Sequence, residues 1–232
     1  MPGRPVLTVS AIALLFAALP AAGQEGPGPW AVVARLGVQQ PARLNESPSP
    51  APDLTVGPSL EVGLSRTLLP WLEVELAVGW SRSKAPTEQY LVSSNPVDPM
   101  APGVLLTVAQ QLTTASIIAN VRARWPATWA VRPYLVAGGG ALHADLLIDT
   151  NGSSAYPARD ATGWGPALQA GLGADGTPWR DLLLGVEARW RWSHATLQEH
   201  LGPHPYTLYP TGRSGDATLG GFSLQATVGW GF

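Results

Sequence analysis

The chain has 232 residues, of which 13% are charged and 45% hydrophobic, with no cysteine and a formal net charge of −2. The missing cysteine excludes a disulfide framework, a thiolate metal site and a cysteine nucleophile. A near-neutral balance with a single lysine, Lys84, excludes a polybasic nucleic-acid binder, and the apolar content excludes a disordered chain.

Residues 1–23 read as a secretory signal peptide. Arg4 supplies the positive end, Val6 to Leu19 form an apolar run broken only by Thr8 and Ser10, and Ala21-Ala22-Gly23 offers small residues for cleavage. The run is shorter than the ~20 residues of a spanning helix, and Pro20 ends it. Residues 24–232 then form one domain. No later window holds eighteen uninterrupted apolar residues, so helical spans are not expected.

The mature chain alternates with period two instead. Trp30 to Val38 is the first candidate strand, followed by a long connection, 39–55. Val56, Pro58, Leu60, Val62 and Leu64 oppose Gly57, Ser59, Glu61 and Gly63 in the second. After the short connection Thr67–Trp71, Leu72, Val74, Leu76, Val78 and Trp80 oppose Glu73, Glu75, Ala77 and Gly79. A long connection, 81–112, leads to Ala115–Arg124, with Gly103–Gln111 able to extend that strand or remain loop. Trp125–Ala130 is short, and Val131–Leu142 is a strand whose face is ambiguous, because Pro133 and Tyr134 compete for the outside. After the long connection 143–162, Trp164 to Leu172 alternate again, and Asp175–Asp181 is short. Leu182, Leu184, Val186, Ala188, Trp190 and Trp192 then oppose Gly185, Glu187, Arg189 and Arg191, with Leu183 the exception. Past the long connection 193–217, Phe222, Leu224, Ala226, Val228, Trp230 and Phe232 oppose small and polar residues.

Each candidate has one apolar face and one small or polar face, and long and short connections alternate strictly. The expectation is all-β: an eight-stranded antiparallel transmembrane β-barrel with short periplasmic turns and four long extracellular loops. The tryptophans agree. Trp30, Trp71, Trp125, Trp129, Trp179 and Trp230 fall near short turns or termini, whereas Trp80, Trp164, Trp190 and Trp192 fall where strands meet long loops. Indoles prefer the headgroup region, so two aromatic girdles are expected. A soluble barrel with an apolar interior would not gather its tryptophans at both strand ends.

The chain resembles the small eight-stranded outer-membrane barrels of the OmpA/OmpX and OmpW type. The terminal segment Phe222–Phe232, closing on an aromatic residue, carries the resemblance, together with Arg132-Pro133-Tyr134 running into Gly138-Gly139-Gly140. The resemblance implies the outer membrane of a Gram-negative bacterium. It also implies contact with outer-membrane lipids and lipopolysaccharide, and a terminal strand read by the insertion machinery as an assembly signal. No domain is expected after the barrel.

The inward faces carry charge. Glu73 and Glu75 lie at the periplasmic end of one strand, Arg122 and Arg124 at that end of the next, and antiparallel pairing is expected to set Glu75 near Arg122 and Glu73 near Arg124. Glu61, Glu187, Arg189 and Arg191 extend this interior charge network. Unpaired buried charge is costly, so a filled, ion-paired interior is the favoured expectation.

Candidate chemistry is sparse. His194, His200, His204 and Glu199 are weak candidates for a metal site, since Pro203 and Pro205 disfavour a helix there. Lipid A deacylases among such barrels use a His-x-Ser pair with an acidic partner. His194-Ala195-Thr196 resembles that pair, with Thr196 in place of the serine and Glu199 as the acid. No cofactor or nucleic acid is expected. Possible ligand contacts lie in 40–54, 83–103, 145–161 and 193–216. The expected role is non-enzymatic, structural or surface-interacting. The alternatives are a narrow channel for small or hydrophobic solutes and, behind it, a lipid A-modifying enzyme.

Overall fold

The computed structural model describes residues 30–41, 54–93, 103–125, 131–149, 159–179, 181–199 and 215–232. The expected signal peptide 1–23, Trp129, and residues 42–53, 94–102, 150–158 and 200–214 lie outside the described residues. Nine strands are present: β1 (Trp30–Pro41), β2 (Gly57–Leu69), β3 (Leu72–Lys84), β4 (Glu88–Ser93), β5 (Gly103–Arg124), β6 (Val131–Asp149), β7 (Arg159–Trp179), β8 (Leu182–Glu199) and β9 (Gly215–Gly231). All pairings are antiparallel, and among the described residues there is no helix. Eight strands form a ring in the order β1, β2, β3, β5, β6, β7, β8, β9, with β9 returning to β1.

The register fixes the shape of the ring. From Ala31 the paired residues run through Ser65, Glu75, Asn120, Gly138, Gln169, Arg191 and Gly221, and re-enter β1 at Pro41, ten residues further along. Eight strands with that stagger tilt by about 40° and enclose a backbone radius of about 8 Å, a bore that side chains fill. The faces are those of a barrel turned outward. Arg35 is 0% exposed and its neighbour Leu36 65%. A barrel folded in water has the reverse arrangement.

The ambiguous face of 131–142 resolves clearly. Tyr134 is 3% exposed and points inward, while Leu135 is 63% exposed and Pro133 lies outside. Period two requires that outcome once Val136 takes the inside.

Three long connections are shorter than expected. β5, β6, β7 and β8 run for 22, 19, 21 and 18 residues, against 12 or 13 for β1, β2 and β3. A transmembrane strand needs only about 9–11 residues, so the β5–β8 wall continues beyond the membrane. Much of 81–112, 143–162 and 193–217 is therefore strand. The sequence signal fades there because the polarity inverts. Leu112, Leu142, Leu146, Leu197 and Leu219 are buried inside, while Thr113, Asp145, Thr162, His194 and Thr196 occupy the opposite strand parity. The ends at Trp80, Ala115, Leu142, Trp164, Trp192 and Phe222 mark where strands leave lipid, not where they stop.

β4 is a further departure, since it lies within 81–112, expected as one long connection. β3 holds its register with β5 through Ala85, whose N–H donates to the Gln110 carbonyl at 2.9 Å. Pro86 has no N–H to give, and pairing resumes with Glu88 opposite Val108, one residue out of step. β4 and the start of β5 then form a two-stranded extension of the ring. At the periplasmic side the β2–β3 turn is Pro70-Trp71, and register shifts at Thr67/Leu69 and Gly176/Trp179 sit beside the turns. Asp175–Trp179, expected as connection, belongs to β7.

Candidate functional site

The periplasmic half of the lumen is filled by an ionic network. Arg35 on β1 donates to Glu61 on β2 at 2.6 Å, contacts Glu75 on β3, and lies 3.6 Å from Glu187 on β8. Arg189 holds both oxygens of Glu61 at 2.8 and 3.0 Å and contacts Glu187 beside it on β8. Glu75 also meets Arg122 at 2.8 Å and accepts from the Asn120 amide at 3.0 Å. Toward the periplasm, Glu73 pairs with Arg122 at 3.1 Å and with Arg124 at 2.5 Å, and Arg124 reaches Asp175 at 3.0 Å. Arg191, above them, donates to Gln169 at 3.0 Å and approaches Glu61 at 3.6 Å. Five arginines thus face five buried carboxylates, so each buried charge has opposite charge within reach to offset part of the cost of leaving water.

The expected pairings differ by two residues along the backbone. Glu73 stands opposite Arg122 and Glu75 opposite Asn120. The contacts Arg122–Glu75 and Arg124–Glu73 form all the same, because arginine is long enough to reach diagonally across a ladder. Arg35, Asp175, Tyr134, Asn120 and Gln169 also belong to the network, to which the sequence alone does not assign them. Tyr134 donates its hydroxyl to Glu187 at 2.7 Å, and the Arg122 guanidinium lies 5.2 Å from the Tyr134 ring centre. The ring fits only because β7 offers glycine there: a Cβ on Gly173 would sit 2.5 Å from Tyr134 Cζ.

Above this network the lumen mixes an apolar cluster with small buried hydroxyls. Leu112, Ile118, Leu142, Ala144, Leu146, Ala167, Ala195, Leu197 and Leu219 form one buried cluster, joined by Leu54 and Ala85. Beside it Ser81 shares a 2.7 Å hydrogen bond with Thr114, which lies between Leu112 and Ile118 on the inward face of β5.

The outer wall carries the tryptophans. With a ~3.3 Å rise and ~40° tilt, the register sets Trp80, Trp190 and Trp192 in one band, Trp164 some way above it, and Trp30, Trp71, Trp125, Trp179 and Trp230 in a second band roughly 20–25 Å below the first. All but Trp30 are exposed, and Arg66 lies 5.1 Å over the Trp30 ring. Phe222, Leu224, Val228, Trp230 and Phe232 are exposed on β9 or just beyond its end, with Ala226 on the same face. His194 and Thr196 lie exposed on the outer face of β8, on strand rather than loop. Glu199 ends that strand with the opposite parity, and its side chain is outside the described residues. His200 and His204 are also outside them. Among the described residues no group of three His, Asp or Glu side chains is placed to hold a metal.

No family model and no curated protein sequence matches the chain. Solved structures do. Neisserial surface protein A superposes with a TM-score of 0.51 at 16% identity, covering 90% of this chain and 100% of its own. The fold is that of a small outer-membrane β-barrel. Ail, the attachment invasion locus protein of Yersinia pestis, gives a TM-score of 0.47 at 13% identity over 88% of this chain and 99% of its own. The outer membrane protein OprG from Pseudomonas aeruginosa gives 0.46 at 10% identity over 89% and 97%.

Proposed function

We propose that this protein is a monomeric, non-enzymatic barrel of the bacterial outer membrane. Its interior is sealed, and its function is structural or lies at its outer surface and extracellular strands. The carrying observation is the network from Arg35 to Asp175, which spans a lumen of about 8 Å backbone radius with charges that neutralise one another. The apolar outer band and the two tryptophan levels support the membrane setting. A structural or surface role fits a wall whose β5–β8 side rises above the lipid. Planar-bilayer recording of the refolded mature chain tests the seal. The expected result is silence from protein shown to be folded, and stable conductance steps would refute it.

A second reading has one specific support. The β7–β8 ladder pairs at Ala161 and Thr162 and resumes at Ala167, with Pro166 unable to donate. Gly163 and Gly165 hold the β8 backbone close there, where a Cβ would lie 2.1 Å from the Thr196 carbonyl oxygen and 1.9 Å from that of His194, so passage requires these two strands to part. A silent barrel that nevertheless carries a small hydrophobic solute into vesicles would favour lateral passage between these strands.

A further inference from the structure

Trp164 stands outside the upper aromatic band. The row Trp80, Ala115, His143, Trp164 crosses three ladders and climbs about 3 Å at each, which sets Trp164 roughly 9 Å above Trp80. At that height the outer wall is polar, with Thr113, Asp145 and Thr162 on the next row up. Yet the indole is 62% exposed, so neither the lipid band nor the core accounts for it. The ring is nevertheless held. His143, directly across on β6, packs against it with ring centroids 4.8 Å apart and planes tilted by 57°. An exposed indole fixed by a neighbour offers the rest of its surface with little side-chain entropy left to lose.

Asp145 is the charged group beside that ring. It follows His143 by two residues on the same face of β6 and pairs with Thr162, so it is diagonal to Trp164, about 7–8 Å away between backbones. Among the described residues its carboxylate has no ion-pair or hydrogen-bond partner. Asp149 and Asp160 continue the same acidic face upward. Among the described side chains, no outward position of β6, β7 or β8 above Trp192 holds a lysine or arginine. Such a face repels phosphate, which separates it from the lipid contacts of the band below. An ordered indole with an unpartnered carboxylate diagonal to it matches one side chain well. A guanidinium stacks within about 6 Å of the ring centre and turns its N–H edge to the carboxylate.

We infer that Trp164, ordered by His143, and Asp145 form a docking site for an arginine side chain of a basic, extended peptide segment arriving from the extracellular side. The inference deepens the outer-surface reading above and rests on it.

The full mature chain is placed in phosphatidylcholine nanodiscs, and binding of an acetylated hexa-arginine amide is measured against empty nanodiscs. Heat-modifiable gel mobility reports folding of each variant. Wild type should bind the peptide, and hexa-lysine, which lacks the planar fork, should bind several-fold more weakly. Trp164→Ala and Asp145→Asn, folded equally well, should each weaken hexa-arginine binding about three- to tenfold, with Trp164→Phe between wild type and alanine. Equal binding by Trp164→Ala overturns the site, and equal binding of hexa-lysine overturns the stacked guanidinium. Binding of maltoheptaose that Trp164→Ala abolishes would reassign the ring to neutral sugars and overturn the peptide assignment. Failure of the wild-type chain to insert would remove the membrane reading, and the site with it.

Discussion

Below the level of Trp80 and Trp192 the wall is apolar outside and charged inside; above it the outer face turns largely polar, and the lumen is packed with leucine and alanine among small hydroxyls. β8 shows both states within one run. Glu187, Arg189 and Arg191 face the lumen with Val186, Trp190 and Trp192 outside, and then Ala195 and Leu197 face inward with His194 and Thr196 outside. The backbone and its period are unchanged, so what inverts the pattern is the surrounding medium. Lipid accepts apolar side chains and leaves polar ones to satisfy each other in the bore, whereas water drives apolar side chains inward. The two halves are therefore held by different forces. The lower depends on mutual satisfaction among charges, and the upper on packing, which degrades one contact at a time.

The sharpest way to break this comparison is to remove a charge from the lower half. Arg35→Met takes away the cation that meets Glu61, Glu75 and Glu187 together, leaving buried carboxylates undercompensated. The expected loss is about 3–5 kcal/mol of unfolding free energy, read from urea transitions in vesicles. A loss below about 1 kcal/mol, the worth of a solvated surface ion pair, would mean water reaches the network.

The matching change above is Leu142→Ala. Leu142 is 2% exposed at the centre of the apolar cluster, so a dry, packed core predicts a loss of about 2–4 kcal/mol by the same measurement. It should leave the barrel electrically silent, because the ionic half beneath is untouched. Conductance in this variant would place the seal in the upper half.

How much of this was legible depends on which half is considered. In the lipid zone the parity of each strand gives the inward residues directly, and Glu61, Glu73, Glu75, Glu187, Arg189 and Arg191 were readable that way. Arg35 has the same legibility, being opposite in parity to Leu36 and Val38, but a lone inward charge has no visible partner in its own segment. Asp175 was hidden by Gly176, Pro178 and Trp179, which look like a turn. The two-residue difference between Glu73 and Arg122 was not legible, because the segment joining β3 to β5 is too long for a turn type to set register. The extensions of β5–β8 were lost at the inversion: an alternation whose sign changes midway averages to no pattern. Arg82 and Lys84, the last outward residues of β3, fall past that inversion and read as loop.

The smallest expected effect asks whether the lower network acts as a unit. Tyr134→Phe removes only the hydroxyl given to Glu187, and keeps the ring between Gly173 and Arg122. Glu187 is not orphaned by the change, since Arg35, Arg122 and Arg189 remain within reach. The cost should stay near that of one hydrogen bond to a charged acceptor whose other partners persist, about 1–2 kcal/mol in the urea transition. A loss as large as that of Arg35→Met would show that the hydroxyl positions Glu187 for all three arginines. The double variant decides between these cases. If the network is a sum of pairs, the losses from Tyr134→Phe and Arg35→Met add to within about 0.5 kcal/mol. If it is one cooperative element, the second substitution costs little once the first is made, because both act on Glu187.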